Sequence, residues 1–173
     1  METKQELRDR MKQARAALSR KEIIERSLYA IEQIQQDFRF INAKTVAIYY
    51  PFAHEVDLLN LTKNDKRFAL PKVNGSEMNF IEFKADSTLS RSPIGIYEPI
   101  DGTCLDGQID LMLVPALVVD KDYYRVGHGK GYYDRYLSKY RPRHVIAVIY
   151  DFQFVKAFHH REHDIPLDDV IIV

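Results

Sequence analysis

From residue 45 onward the chain is a succession of short apolar runs, each closed by a loop, and this pattern narrows the fold more than any other feature. Runs of this kind fall at residues 45–50, 67–70, 78–83, 109–114, 144–150 and 170–173, and all are rich in aliphatic or aromatic residues. Several are apolar at successive positions rather than alternate ones, as in strands covered on both faces. Helical spacing separates them at residues 57–63 and 131–139, with a further short helix expected at 155–159. Residues 87–100, which include Pro93, Gly95 and Pro99, read as an ordered loop or hairpin. Two helices should precede the strands. In the first, Leu7, Met11, Ala14 and Leu18 recur at three- and four-residue steps, beside a basic line of Lys4, Arg8 and Arg15. Ser19 followed by Glu22 is a capping-box pattern that opens the second, whose apolar stripe runs through Ile24, Leu28, Ile31, Ile34 and Phe38. The order predicts an α/β fold: a three-layer open, mostly parallel sheet with helices on both faces and two N-terminal helices. Ligands are then expected at the carboxyl ends of the strands.

A chain of 173 residues is long enough for one full core, so a single domain over 1–173 is expected. Its 25 basic and 25 acidic residues cancel, which removes any global field that would recruit nucleic acid or an anionic membrane. Neither partner is expected, and the chain reads as a monomer. No apolar run approaches the roughly 18–20 residues of a membrane span, and Met-Glu-Thr-Lys-Gln-Glu is no apolar leader, so the expected location is cytoplasmic. The single cysteine, Cys104, lies among Asp101, Gly102, Asp106 and Gly107 without an evident base and reads as incidental.

An anion site must therefore be local. Residues 125–134 read Arg-Val-Gly-His-Gly-Lys-Gly-Tyr-Tyr-Asp, with three alternating glycines directly ahead of a helical segment. Glycine lets backbone N–H groups converge on one concavity, and the following helix adds unpaired N–H groups at its positive end. A Walker A loop needs four residues between its first glycine and Gly-Lys, then Ser or Thr, whereas Lys130 is followed by Gly131. A dinucleotide fingerprint needs glycine where Tyr132 stands. The bland alternative is a flexible turn between strand and helix. Arg125 and Lys130 favour the anion reading, and Asp134 is placed either for a Mg²⁺ that bridges phosphate oxygens or as a plain helix N-cap.

Three other constellations have chemical potential. His54-Glu55-Val56-Asp57 follows the first strand, where a carboxylate can take donors from a polar heterocycle, or where Glu55 or Asp57 simply starts a solvated helix. His159, His160 and His163 suggest zinc but lack a His-Glu-x-x-His arrangement or a cysteine pair; Asp164 fits better as a second carboxylate for Mg²⁺. Tyr123, Tyr124, Tyr132, Tyr133 and Tyr136 lie among basic residues as a stacking platform would, yet zero net charge assigns most of them to the core or a pocket.

The block Val114-Pro115-Ala116-Leu117-Val118-Val119-Asp120, continued by Tyr124 to Leu137, strongly resembles the signature of the 5-formyltetrahydrofolate cyclo-ligase family. The resemblance extends over nearly the whole chain. Lys4-Gln5-Glu6-Leu7-Arg8, Glu55-Val56-Asp57, Leu70-Pro71-Lys72-Val73, Gly95-Ile96-Tyr97-Glu98-Pro99 and His163-Asp164-Ile165-Pro166 match its other motifs in order. It implies a ligase that converts 5-formyltetrahydrofolate to 5,10-methenyltetrahydrofolate with ATP and Mg²⁺, releasing ADP and phosphate. Carried over residue by residue, Lys4, Arg8 and the loop Arg125, Val126, Gly127, His128, Gly129, Lys130, Gly131, Tyr132 and Tyr133 would bind ATP. Arg125 and Lys130 would stabilise the transferring charge. Tyr50, Glu55 and residues His128 to Tyr132 would contact the folate, and Asp134 and Asp164 would hold Mg²⁺. Val126 and Val119 depart from the family pattern only in packing. Competing readings are a sugar-phosphate isomerase or acyl-CoA-type transferase on a related fold, and a non-catalytic nucleotide- or RNA-binding module.

Overall fold

The computed structural model describes residues 1–173. Three helices come first, α1 (Lys4–Ala16), α2 (Arg20–Gln36) and α3 (Phe38–Asn42). Strand β1 (Thr45–Ala47) is followed by a 3₁₀ turn (Leu59–Lys63), the hairpin β2 (Arg67–Asn74) and β3 (Glu77–Phe83), and a smaller hairpin, β4 (Leu89–Arg91) and β5 (Tyr97–Pro99). Then come β6 (Leu111–Val114), β7 (Val118–Asp120), β8 (Arg125–Val126), α4 (Tyr132–Lys139) and β9 (His144–Ile149). A 3₁₀ turn (Asp151–Gln153), β10 (Phe154–Val155) and β11 (Asp169–Ile172) end the chain. No helix is long and apolar enough to cross a membrane.

Six strands form the central sheet in the order β11-β9-β6-β1-β2-β3, parallel except for β3 at one edge. Successive side chains alternate between its faces. Val46, Ile48, Phe68, Leu70, Leu111, Leu113, Ile146 and Val148 join a core with Ala30, Ile31 and Ile34 of α2 and Phe40 of α3. Ala47, Ala69, Met112, Val114, Val145, Ala147 and Ile149 join another with Tyr136 and Leu137 of α4. Helices thus cover both faces of a mostly parallel sheet, as the apolar runs predict.

A second sheet, β10-β7-β8, is the main addition to the expected architecture. It carries α1, whose Leu7 and Met11 are buried with Leu117, Val118, Val126 and Phe158. The helix expected at 155–159 is absent because Phe154 and Val155 pair in register with Val119 and Asp120. The expected helix at 57–63 is reduced to the 3₁₀ turn, and the segment 87–100 is the β4–β5 hairpin.

Both N-terminal helices open on capping boxes, Thr3 with Glu6 and Ser19 with Glu22. The buried face of α2 is rotated from the expected stripe. Ile24 and Leu28 are about half exposed, whereas Ser27, Ala30, Ile31 and Ile34 are buried. Small residues let the helix approach closely, and Ser27 Oγ accepts the Asp57 N–H at 2.9 Å, a contact that favours this face. Asp37 ends α2 and caps α3 through the Arg39 N–H at 2.8 Å, so Phe38 belongs to a new helix and stays exposed.

Candidate active site

Parallel strands converge at their carboxyl ends on a cavity of about 350 Å³. Tyr49 and Tyr50 enter it after β1, Pro115 and Ala116 after β6, and the glycine-rich loop after β8 forms one wall. Every residue singled out in the sequence as a ligand contact lines this one cavity: Lys4, Arg8, Tyr50, Glu55, Arg125 through Asp134, and Asp164.

Loop geometry follows from its glycines. Gly131 is left-handed, with φ +70°, and immediately precedes α4, so the chain turns into the helix without a side-chain cap. A Cβ on Gly127 would lie 2.7 Å from Arg125 Nη1, so only glycine leaves room for that guanidinium. Helix α1 is tied to the loop by Arg8, whose Nε donates to the Gly127 carbonyl at 2.9 Å. Lys4 forms an ion pair with Asp164. One helix thus brings Arg8 to the glycine-rich loop and Lys4 to the C-terminal carboxylate.

The two loop cations differ. Arg125 is buried, lies 3.7 Å from Asp134 and 4.7 Å over the Tyr133 ring, and leaves Nε without a partner. Burial pulls its pKa below the ordinary arginine value against the pull of Asp134, and burial pushes the Tyr133 phenol up. Lys130 is exposed at the cavity wall, and its side chain makes no hydrogen bond or ion pair. Like Arg161, whose guanidinium also makes no hydrogen bond or ion pair, it is an uncommitted cation of the cavity.

Glu55 sits after a backbone turn in which Ala53 and His54 have φ of 46° and 63°. Such values strain non-glycine residues, and the surroundings hold them: His54 Nδ1 lies 3.0 Å from the Arg15 carbonyl oxygen, and Tyr150 Oη donates to the His54 carbonyl at 2.9 Å. The turn buries the Glu55 carboxylate, which accepts the Phe52 N–H at 2.9 Å and faces Arg15 at 3.5 Å and His128 at 3.6 Å. Asp57 accepts the Leu59 N–H at 2.9 Å and starts the 3₁₀ turn. Of the two readings of this acidic segment, Glu55 follows the pocket and Asp57 the helix start.

Asp134 stands in the first turn of α4 and is not its N-cap; Oδ1 accepts the Ile165 N–H at 3.2 Å. Asp164 Oδ2 takes Lys4 and the Arg161 N–H, and Oδ1 has no donor. Burial raises the Asp164 pKa, but the Arg161 N–H and Lys4 outweigh it and hold the carboxyl below its ordinary value. The C-terminal histidines separate. His160 pairs with Asp120 at 2.6 Å and stacks on Tyr124, whereas His163 lines the cavity. The tyrosines form no platform: Tyr132 and Tyr133 line the cavity, and Tyr136 is buried against Phe80.

The model of the 5-formyltetrahydrofolate cyclo-ligase family matches residues 1–173. The chain belongs to that family. A cyclo-ligase of Mycoplasma pneumoniae is 34% identical over 87% of this chain and 87% of its own, and that of Mus musculus 27% identical over 97% and 92%. The solved 5,10-methenyltetrahydrofolate synthetase of Aquifex aeolicus superposes with a TM-score of 0.88 at 33% identity, covering 98% of this chain and 89% of that one.

Within this cyclo-ligase family member, four features of the cavity escape the sequence reading. Arg15, on the same basic line as Lys4 and Arg8, is 1% exposed and lies behind Glu55 rather than on the cavity wall. Its placement one turn beyond Met11 was the available signal. Pro71 and Val73, and Ile96 and Glu98, lie in motifs that mark the family, yet only the fold brings them to the cavity wall. Phe52 and Met78 carry no sequence signal. Arg161 joins them because β10 holds the C-terminal loop against β7.

Proposed function

We propose that this protein catalyses the ATP-dependent cyclisation of 5-formyltetrahydrofolate to 5,10-methenyltetrahydrofolate, as one domain acting as a monomer. The observation that carries the reading is the meeting in one cavity of an uncommitted Lys130 on a glycine-rich loop with the sequestered carboxylate of Glu55, in a chain matched end to end by the cyclo-ligase family model.

A formamide oxygen is a poor leaving group, which explains the need for ATP. The formyl oxygen attacks the γ-phosphorus as the bond to the ADP oxygen breaks, giving an N5-iminium phosphate. N10 then attacks that carbon, phosphate departs with the C–O electron pair, and the N10 proton is lost as the ring closes. Phosphoryl transfer asks for positioning and charge neutralisation rather than a protein nucleophile. Lys130 and the loop N–H groups suit the γ-phosphoryl oxygens, and Lys4, Arg8 and Arg125 suit the remaining phosphates. Glu55, Tyr50 and the His128 to Tyr132 segment orient the folate so that its formyl oxygen meets the phosphate.

The donor set fits Mg²⁺. No group of three or more His, Cys, Asp or Glu residues gathers in the chain, but Asp134 and Asp164 both open on the cavity, and Asp164 Oδ1 has no donor. One or two carboxylates plus phosphate oxygens and water are what Mg²⁺ prefers. When bound with ATP it would neutralise charge on the phosphates.

The test mixes purified protein, 5-formyltetrahydrofolate and Mg²⁺ with and without ATP and follows the methenyl-folate absorbance band. Growth only with ATP is expected. No band from folded protein would sink the reading.

A further inference from the structure

Glu55 is not the only glutamate in the cavity wall. Glu98, on β5, also lines it, and the two carboxylates differ in what already occupies them. Glu55 Oε2 holds the Phe52 N–H, and Oε1 faces both Arg15 and His128. Glu98 Oε1 receives one long contact, the Val73 N–H at 3.4 Å, and Oε2 receives none. The other cavity residues contributed by its hairpin and by β2 are apolar: Ile94 and Ile96 from the hairpin, Pro71 and Val73 from β2. Burial raises the Glu98 carboxyl pKa; the Val73 N–H and nearby Lys72 only partly oppose this, and the Lys72 ammonium donates to the Ile100 carbonyl. A half-buried carboxylate with open oxygens in an apolar wall costs the free protein stability, and a ligand that brings paired N–H donors would relieve that cost.

The proposed substrate carries such a pair. Its reduced pterin ends in a 2-amino-4-oxopyrimidine, whose 2-amino group and N3–H point the same way. That spacing suits the two oxygens of one carboxylate. Resting on the cyclo-ligase reading, we infer that Glu98 accepts the 2-amino and N3–H edge of the pterin and is the specificity-determining residue for that ring. The arrangement divides the labour of the two glutamates. Glu55, held in place by Phe52, Arg15 and His128, meets the folate beside the loop, and Glu98 keeps its oxygens open for the far edge of the ring. Because the β4–β5 hairpin carries Glu98 together with Ile94 and Ile96, one element supplies both the polar anchor and apolar cover for the ring.

The experiment compares 5-formyltetrahydrofolate with its 2-desamino analogue on the wild-type protein and on Glu98→Gln, measuring kcat/KM from the methenyl band. The wild type is expected to prefer the natural substrate by roughly 10- to 100-fold, the scale of a hydrogen bond to a charged group. Glu98→Gln should lose most of that preference by losing activity on the natural substrate alone. Glutamine keeps an oxygen for the Val73 N–H, so its melting temperature should not fall. A variant that retains the wild-type preference, or that loses activity equally on both compounds, would overturn the assignment. So would a wild-type enzyme that uses both equally, a result that needs no variant. Failure of the wild type to form any methenyl product would instead bring down the cyclo-ligase reading itself.

Discussion

The Arg15 guanidinium meets Glu55 Oε1 at 3.5 Å in a region where both side chains are less than a tenth exposed, and it leaves its own Nε and Nη2 without acceptors. A buried cation with one acceptor depends on that acceptor heavily. Glu55→Ala should therefore destabilise the protein by about 3–5 kcal/mol, the usual result of stranding one member of a buried pair. Adding Arg15→Leu should restore most of that stability without restoring turnover, because the carboxylate proposed to contact the folate is still missing. Chemical denaturation of the single and double variants, beside an activity assay, separates the two roles.

Lys130 and Arg125 should respond differently to truncation. Lys130 is exposed and pairs with nothing, so Lys130→Ala should lower kcat by about 10² or more, the scale of a lost transition-state donor, while the melting temperature stays put. Arg125 is buried against Asp134 and Tyr133, so Arg125→Ala should lower both. Steady-state kinetics and a thermal melt on each variant check the contrast. An unchanged rate would remove that residue from the phosphate site.

The fold was legible where one rule governed a segment. The apolar runs at 109–114 and 144–150 read as strands buried on both sides, and the strands they contain, β6 and β9, are interior strands of the sheet. The small second sheet was hidden because Arg125 and Val126 are a strand of two residues, too short to show a period. Val155 looked like the head of a short helix over 155–159, and only tertiary pairing of Phe154 and Val155 with β7 decides otherwise. In the site, the glycine loop announced itself through local chemistry. Glu98 and Met78 did not, because a residue on a strand joins a cavity through the fold rather than through its neighbours. Arg15 misled for the opposite reason: one basic residue on a helix looks like another until its burial is known.

Asp164 gives the protein an acid-sensitive joint. Despite burial, the Arg161 N–H and Lys4 hold its pKa below the ordinary 3.8. A depressed native pKa means the stabilisation is complete above the unfolded value and is lost as pH falls through the native one. Stability should therefore drop as pH is lowered below about 3.8, and Asp164→Asn should flatten that part of the profile. Melting temperatures between neutral pH and strong acid read this directly; equal slopes for the two proteins would dissociate Asp164 from the acid limb.

Gly127 and Gly131 are both required, for different reasons, and alanine at each should fail differently. At Gly131 the new Cβ would come within 2.8 Å of Arg135 Nη1, but that side chain is exposed and can swing away. What remains is the left-handed backbone, φ +70°, which costs a non-glycine residue about 1–2 kcal/mol. Gly131→Ala should therefore lower the melting temperature. At Gly127 the new Cβ would sit 2.7 Å from Arg125 Nη1, and this guanidinium is buried with nowhere to retreat. Either Arg125 or the loop must shift, and the Gly127 carbonyl that holds Arg8 shifts with the loop. A displacement of that kind in a phosphate-positioning element costs on the order of 10² in rate. Gly127→Ala should thus lower kcat/KM for ATP far more than it lowers stability, measured by varying ATP at saturating 5-formyltetrahydrofolate. Wild-type kinetics in Gly127→Ala would mean that Arg125 does not need its observed position to serve the phosphates.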